Sequence, residues 1–281
     1  MKPPKLLVIV GETASGKTEL ALELAKRLDG EIICADSWTV RKGVDIGTAK
    51  PTAEERAAVP HHLLDVVEPC GEFTAAVFKQ LANEAIDDIA ARGKLPIMVG
   101  GTGLYMDGVL YDYGFLPAGD RKAREELNRL SIAKLRERVE RSKLDTSGID
   151  TRNKRRLIRL LETRGRRAAS KPLRENTFIM GLKLPRELIE QRIIDRLDAM
   201  LMVGLEDEVR GLVERNGWDC EALKESAMPS GVAILRARKA CLKPVIKLSK
   251  QPLNIRSVSE LGLDATKVFN GFPPLLIWQK L

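Results

Sequence analysis

The fold is decided by one stretch near the start of the chain, Gly11-Glu12-Thr13-Ala14-Ser15-Gly16-Lys17-Thr18. This stretch fits the pattern G-x-x-x-x-G-K-[ST], whose glycines let backbone N–H groups curl around an anion. The apolar run before it predicts a buried strand, and apolar residues at helical spacing after it predict a helix whose N-terminus faces that anion. Lys17 adds a positive charge, and Thr18 adds a hydroxyl for Mg²⁺. We therefore expect a site for a di- or triphosphate.

Two further apolar runs, residues 31–35 and 95–99, alternate with helical patterns. The alternation predicts an α/β fold in which a parallel P-loop sheet core is flanked by helices. The carboxyl ends of parallel strands carry functional groups, so the residues that follow these runs are candidate site residues. Asp36 follows the first run. It is a candidate for a general base, for a group near Mg²⁺ or for a plain turn cap. Thr102 follows the second run, as a hydroxyl for a ligand or as part of a simple turn.

Composition narrows the class of protein further. Hydrophobic residues make up 44% and charged residues 31% of the chain, which excludes bulk disorder, while 4% aromatic residues argues against a protein that stacks many single-stranded bases. The longest early apolar run is far too short for a membrane span. The four cysteines form no C-x-x-C pair, which predicts neither a zinc site nor a disulfide framework. We expect a reduced, cytoplasmic protein without membrane association.

The net charge of +8 is unevenly distributed along the chain. Residues 121–180 carry 19 basic and 8 acidic side chains, a net charge of +11, whereas residues 1–120 carry 12 and 18, a net charge of −6. This asymmetry favours a polyanionic partner, such as a nucleic acid, bound by one region. Four arginines recur there at helical spacing, where they either meet phosphates or form a solvated helix face: Arg152, Arg155, Arg156 and Arg159.

Five blocks follow one another in a specific order and spacing. They are the phosphate loop, Ala35-Asp36-Ser37, Asp45-Ile46-Gly47-Thr48-Ala49-Lys50-Pro51, Pro60-His61-His62-Leu63-Leu64-Asp65 and Gly100-Gly101-Thr102-Gly103-Leu104-Tyr105. Over roughly residues 5–225 this pattern resembles the tRNA dimethylallyltransferase family, also called tRNA isopentenyltransferases. The resemblance implies that a dimethylallyl group passes from dimethylallyl diphosphate to N6 of the adenosine just 3′ of the tRNA anticodon, with release of diphosphate.

The resemblance also implies roles for individual residues. Asp36 would be the general base, with Thr102 on the target nucleotide and Lys17 and Thr18 on diphosphate and Mg²⁺. The whole phosphate loop, Gly11 to Thr18, would bind the donor diphosphate together with Arg192, for which Arg196 is the alternative. The residues implied to contact the tRNA anticodon stem-loop are Asp36, Ser37, Trp38, Thr39, Thr102, Arg124, Arg155, Arg156, Leu157, Ile158 and Arg159.

The same reading divides the chain into a P-loop core (1–114), a helical tRNA-binding insertion domain (115–180), a return to the core (181–225) and a divergent tail (226–281). Two residues depart from the family pattern: Glu12 stands where proline is usual and Arg41 where tyrosine is usual. From about residue 225 the chain no longer follows the pattern, and we interpret the tail as read out of frame or as a divergent replacement. A monomer is expected.

Two other interpretations of the sequence stay open at this point. A P-loop kinase acting on a small molecule would use the same phosphate loop, although a segment of net charge +11 exceeds what one nucleotide requires. A non-catalytic RNA-binding protein that kept the fold is the third reading, and it rests on the unusual tail.

Overall fold

The computed structural model describes residues 4–117 and 119–223. The chain forms two compact units. Of the described residues, the first combines 4–110 with 173–223, and the second comprises 111–117 and 119–172. The insertion predicted at 115–180 overlaps most of the second unit.

A five-stranded, wholly parallel sheet forms the centre of the first unit, with the order β3-β2-β4-β1-β5. The strands are β1 (Leu6–Gly11), β2 (Gly30–Ala35), β3 (His61–His62), β4 (Leu95–Gly100) and β5 (Thr177–Leu182). The prediction of β1, β2 and β4 is confirmed. Strand β5 begins within the predicted helical insertion (115–180) and ends in the predicted return to the core, and its pairing with β1 joins it to the sheet.

Helices cover this sheet, as the α/β prediction requires. They are α1 (Lys17–Leu28), α2 (Ala53–Ala58), α3 (Ala75–Ala91), α4 (Gly103–Leu110), α8 (Arg186–Met202) and α9 (Leu205–Asn216), and a short 3₁₀ helix follows at Glu221–Leu223. Leu20 and Leu24 of α1 pack with Leu7, Ile32 and Ile97 of the strands. Strand residues alternate between faces, and the intervening Val8 and Met98 are also fully buried, so both faces of the sheet are covered.

Three short helices build the second unit: α5 (Arg121–Arg129), α6 (Ile132–Arg141) and α7 (Lys154–Glu162). Asp120, Ser131 and Asn153 cap their N-termini by accepting backbone N–H bonds. The helices enclose a separate apolar cluster that includes Leu135 and Leu157. The predicted helical character of this basic segment is confirmed.

Cys70 and Cys220 form a disulfide, with their Cα atoms 4.8 Å apart. The prediction that the chain has no disulfide is therefore wrong. The two cysteines are 150 positions apart, and only the fold brings them together. Within the described ranges, no helix has the length and apolar character needed to cross a bilayer.

Candidate active site

The phosphate loop joins β1 to α1 in a conformation that its glycines require. A Cβ atom on Gly11 would lie 2.8 Å from both the Leu182 carbonyl oxygen and the Ser15 hydroxyl oxygen, so a larger residue does not fit. Gly16 has φ of +89°, in the left-handed region that glycine favours, and α1 starts at the next residue. The helix N-terminus and its unpaired N–H groups therefore face the concave side of the loop, where an anion binds favourably.

Lys17 is the cation of this loop. Its Nζ donates to the Glu12 carbonyl oxygen at 2.6 Å. Burial lowers the pKa of Lys17 to about 8, the charge of Asp36 opposes that shift, and the charge of Arg196 adds to it. Lys17, Asp36 and Arg196 therefore lie within electrostatic reach of one another, as a shared site requires.

Asp36 ends β2 and holds a turn with one of its two carboxylate oxygens. Oδ1 accepts the backbone N–H of Trp38 at 2.8 Å and that of Thr39 at 3.4 Å. Oδ2 forms no hydrogen bond with any described residue. The turn-cap interpretation of Asp36 is thus correct for one oxygen, and the other oxygen is available for proton transfer.

Thr102 joins the loop after β4 to the turn after β2. Its Oγ1 accepts the backbone N–H of Ser37 at 3.1 Å, and its own N–H donates to the Ala35 carbonyl at 3.3 Å. Close approach of the strands is possible because a Cβ on Gly100 would clash with the Ala35 carbonyl. Thr102 therefore fixes the relative position of two strand ends, and it is more than a residue in a simple turn.

Both candidate arginines of α8 reach this region. Arg192 is exposed, and its Nη1 lies 3.5 Å from the Ala14 carbonyl oxygen of the phosphate loop. Arg196 is partly buried and donates to the Thr48 carbonyl at 3.2 Å. Burial lowers the pKa of Arg196, and the charge of Asp36 raises it. Arg192 is thus placed beside the loop, and the charge of Arg196 interacts with those of Lys17 and Asp36.

Two charged side chains that anchor the neighbouring segments, one buried and one partly buried, were not identified from the sequence. The Lys50 side chain is 1% exposed, and its Nζ donates to the Arg41 carbonyl, to Asp45 at 2.7 Å and to Asp65. Glu208 of α9 accepts the backbone N–H groups of residues 45, 46 and 47 at 2.7–2.9 Å. The sequence blocks at 45–51 and 60–65 already contained the charges, but their partners lie up to 163 positions away.

The arginines of the second unit divide into two groups. Arg124 and Arg159 both form ion pairs with Glu162, whose side chain is 2% exposed, and Arg159 also donates to the carbonyls of Leu116 and Pro117. Arg155 and Arg156 are exposed, and neither forms a side-chain hydrogen bond or ion pair with a described residue.

The prediction that Leu157 and Ile158 contact tRNA is corrected by their burial. They are 0% and 2% exposed and belong to the core of the second unit, so their side chains are not available to a ligand. Arg152 precedes α7 and pairs with Asp150 at 3.0 Å, so it does not extend the helical row of arginines.

A family model described as IPP transferase matches residues 39–251. The chain belongs to the IPP transferase family. A relative from Anoxybacillus flavithermus, named tRNA dimethylallyltransferase, is 44% identical over 231 residues, covering 78% of this chain and 74% of that protein. A relative of the same name from Bacillus licheniformis is 40% identical over 298 residues, covering 99% of this chain and 94% of that protein.

Solved structures of this family share the fold. A full-length tRNA isopentenylpyrophosphate transferase from Bacillus halodurans has a TM-score of 0.59 and 37% identity, covering 84% of this chain and 77% of that one. A eukaryotic dimethylallyltransferase acting on tRNA has a TM-score of 0.61 and 28% identity, covering 82% of this chain and 60% of that one. They confirm the family resemblance found in the sequence.

The family match continues further along the chain than the sequence blocks do. The IPP transferase model reaches residue 251, and the Bacillus licheniformis relative covers nearly all of the chain. The resemblance therefore does not stop at residue 225. The interpretation of residues 226–281 as a divergent tail falls outside the described residues.

The loop also has the oxygen atoms that a Mg²⁺ ion carried by diphosphate would need. Among the described residues, no group of three or more His, Cys, Asp or Glu side chains is arranged to hold a metal by itself. Mg²⁺ in phosphate sites keeps several waters and is held through substrate phosphates and few protein oxygens. The Thr18 side chain is exposed at the first turn of α1, and the buried Ser15 hydroxyl has no partner among the residues described. These residues fit such an ion.

Proposed function

We propose that this family member transfers a dimethylallyl group from dimethylallyl diphosphate to N6 of the adenosine on the 3′ side of the tRNA anticodon. One observation carries the proposal. The adjacent strands β2, β4 and β1 end at Asp36, the Thr102 loop and the phosphate loop, so one edge of the sheet presents a base beside an anion cradle. The names of the relatives support the same reaction.

The chemistry assigns each side chain a task. The exocyclic amine of adenine is a weak nucleophile, because its lone pair is delocalised, so it needs a base at the nitrogen. The N6–C bond forms, the bond from that carbon to the diphosphate oxygen breaks, and the amine proton passes to Oδ2 of Asp36. Lys17, Arg192 and the N–H groups of the loop stabilise the negative charge on the leaving diphosphate. Thr18 would hold Mg²⁺, which supplies further charge neutralisation.

The tRNA partner is supported by charge and by the free arginines. The segment 121–180 has a net charge of +11, and Arg155 and Arg156 are exposed on α7 for phosphate contact. A base that must reach a partly buried carboxylate has to leave its stack, and a flipped adenosine would meet the turn at residues 36–39. Cytoplasmic location and a monomeric state stay predictions.

The test is transfer of label from radiolabelled dimethylallyl diphosphate to tRNA. Asp36→Asn is the most informative variant, because the amide keeps an acceptor oxygen for the Trp38 and Thr39 N–H groups but cannot take a proton. We expect transfer by the wild type and loss of transfer by Asp36→Asn. ATP turnover without transfer would instead identify a small-molecule kinase, and salt-sensitive tRNA binding without either activity would identify a non-catalytic protein.

A further inference from the structure

Arg41 is a charged residue in an unusual position just after the Asp36 turn. Its side chain is buried, with the whole residue 5% exposed. Nη1 donates to the carbonyl oxygens of Pro69 and Gly71, both at 2.8 Å, and approaches that of Glu68 at 3.5 Å. A ring of backbone carbonyls in residues 68–71 thus holds the guanidinium, and we call it the carbonyl collar.

Hydrogen bonds to the collar do not account for the whole guanidinium. Its Nε–H is buried and has no hydrogen-bond partner among the described residues. Burial lowers the pKa of Arg41, against the charges of Glu221 and Tyr105, which raise it. Burying a cation and leaving an N–H unpaired both cost free energy, so we expect a further contact that stabilises the guanidinium.

That contact is the ring of Trp38. The guanidinium carbon of Arg41 lies 5.8 Å from the centroid of the ring, within the range of a cation–π interaction. The Arg41 backbone N–H also donates to the Trp38 carbonyl at 3.0 Å, which closes a tight turn. Arg41 therefore contacts Trp38 through both its backbone and its side chain.

Trp38 is in turn part of the Asp36 hydrogen-bonded turn, because its N–H donates to Asp36 Oδ1. From these contacts we propose that Arg41 is a positioning residue: its guanidinium, fixed by the carbonyl collar, clamps the Trp38 ring and thereby sets the turn that receives the target nucleotide. This inference rests on the proposed function. It concerns recognition of the RNA substrate and predicts no contact with the diphosphate.

The collar is itself anchored, which makes it suitable as a clamp. Cys70 lies within it and is bonded to Cys220, in the segment after α9. A parallel β-bridge also joins the backbone of Arg41 to that of Val67, the residue just before the collar. Because the collar holds the guanidinium in place, Arg41 restricts the movement of the Trp38 side chain more than solvent would.

Arg41→Met tests the proposal, with Lys42→Met as the matched control. Lys42 is the adjacent cation and is exposed, and among the described residues its side chain pairs only with the exposed carboxylate of Glu68. Its loss therefore makes the same charge change without removing a hydrogen bond to a collar carbonyl. For Arg41→Met we expect kcat/KM for tRNA to fall about tenfold, the size of a partly buried cation–π contact, with KM for dimethylallyl diphosphate within twofold of wild type. Lys42→Met should match wild type in both.

A double-mutant cycle with Trp38→Leu distinguishes clamping from general stability. If Arg41 acts through Trp38, Arg41→Met should lower kcat/KM for tRNA less than twofold in the Trp38→Leu background. Equal losses in both backgrounds would overturn the proposal. So would a lower melting temperature with unchanged kinetic constants, which a purely structural role predicts.

Arg41→Lys covers the case in which Arg41→Met does not fold. The lysine ammonium keeps the charge and hydrogen bonds to carbonyls, but it is shorter and lacks the planar face that meets the ring. We expect a folded protein whose kcat/KM for tRNA falls at least threefold, and a folded variant with wild-type kcat/KM would contradict the clamp. Wild-type protein that transfers no label would instead refute the proposed function.

Discussion

The two oxygens of Asp36 have different surroundings, and this separates a structural role from a catalytic one. Oδ1 holds the turn through Trp38 and Thr39, whereas Oδ2 has no hydrogen bond to the described residues. Asp36→Asn should lower kcat about 10²–10⁴-fold, the usual effect of losing a general base, with tRNA affinity retained. Asp36→Ala should lose the same activity and also about 1 kcal/mol of stability from the turn cap. Single-turnover transfer and thermal unfolding check both, and an active Asp36→Asn would exclude Asp36 as the base.

Lys17 makes donor binding sensitive to pH. Its pKa is lowered to about 8, chiefly by burial, and the groups that act on it are Asp36, Arg196 and Glu12. Lys17 is protonated below pH 8 and loses its charge above it, so kcat/KM for dimethylallyl diphosphate should fall as the pH rises through about 8. Lys17→Arg keeps its charge at all these pH values and should show no fall near pH 8, whatever its absolute rate. A pH-independent wild type between 7 and 9 would contradict the assignment.

At the scale of single elements, α7 carries arginines with two different tasks. Arg156 is exposed without an ion pair to described residues, whereas Arg159 pairs with the buried Glu162 carboxylate. Arg156→Ala should weaken tRNA binding and reduce the slope of log K against log salt by about 1, with the melting temperature unchanged. Lys42→Ala removes the same charge from the first unit and should leave the slope unchanged. Equal tRNA affinity of Arg156→Ala and wild type at physiological salt would refute the contact.

Arg159→Ala should behave differently, because it leaves Glu162 with Arg124 as its remaining ion-pair partner among the described residues and frees the carbonyls of Leu116 and Pro117. A buried carboxylate that loses one partner destabilises the fold by about 1–3 kcal/mol. We expect a lower melting temperature, which thermal unfolding measures. If Arg159→Ala instead left the melting temperature unchanged and reduced the slope of log K against log salt for tRNA binding, Arg159 would contact the RNA.

Elements were predictable from the sequence where the signal is local. The phosphate loop, β1, β2 and β4 combine a short apolar run with a defined turn, and each was located within one or two residues. Strand β5 was missed, because its six residues become a strand by pairing with β1, about 170 positions earlier in the chain. Leu157 and Ile158 were misassigned because the sequence shows the period of a helix, but not which of its faces is buried.

The residues of the candidate site, like the elements of the fold, were predictable where the signal is local. The residues proposed to touch the reacting groups stand in contiguous motifs and could be named from the sequence. The residues that hold those motifs could not, because Lys50, Glu208 and the Arg41 collar act through partners distant in the chain or through backbone carbonyls, which carry no residue identity. Arg41 was recognised in the sequence as a departure from the family pattern, and its burial gives that departure a physical meaning.

At the scale of the whole molecule, the chain separates its charge by function. Residues 1–120, with a net charge of −6, contain the phosphate loop, and residues 121–180, with a net charge of +11, contain most of the second unit. The acidic core disfavours nonspecific RNA binding, so affinity should depend mainly on the basic segment. Lys17 in the acidic segment, together with Arg192 and Arg196 of α8, would supply the local positive charge for the small donor anion.

The Cys70–Cys220 bond links two parts of the chain that are 150 residues apart. Closing so long a loop restricts the unfolded chain, and the entropy model gives a stabilisation on the order of 4–5 kcal/mol. Treatment with a dithiol should therefore lower the melting temperature of the oxidised protein by several degrees, whereas the Cys70→Ser/Cys220→Ser variant should not respond to it. Peptide mapping without reductant should recover Cys70 joined to Cys220. Because a reducing expression host opposes such bonds, protein whose thiols are trapped at lysis should contain both forms. Cys70 and Cys220 found entirely as free thiols, even after exposure to a disulfide oxidant, would show that the bond does not form.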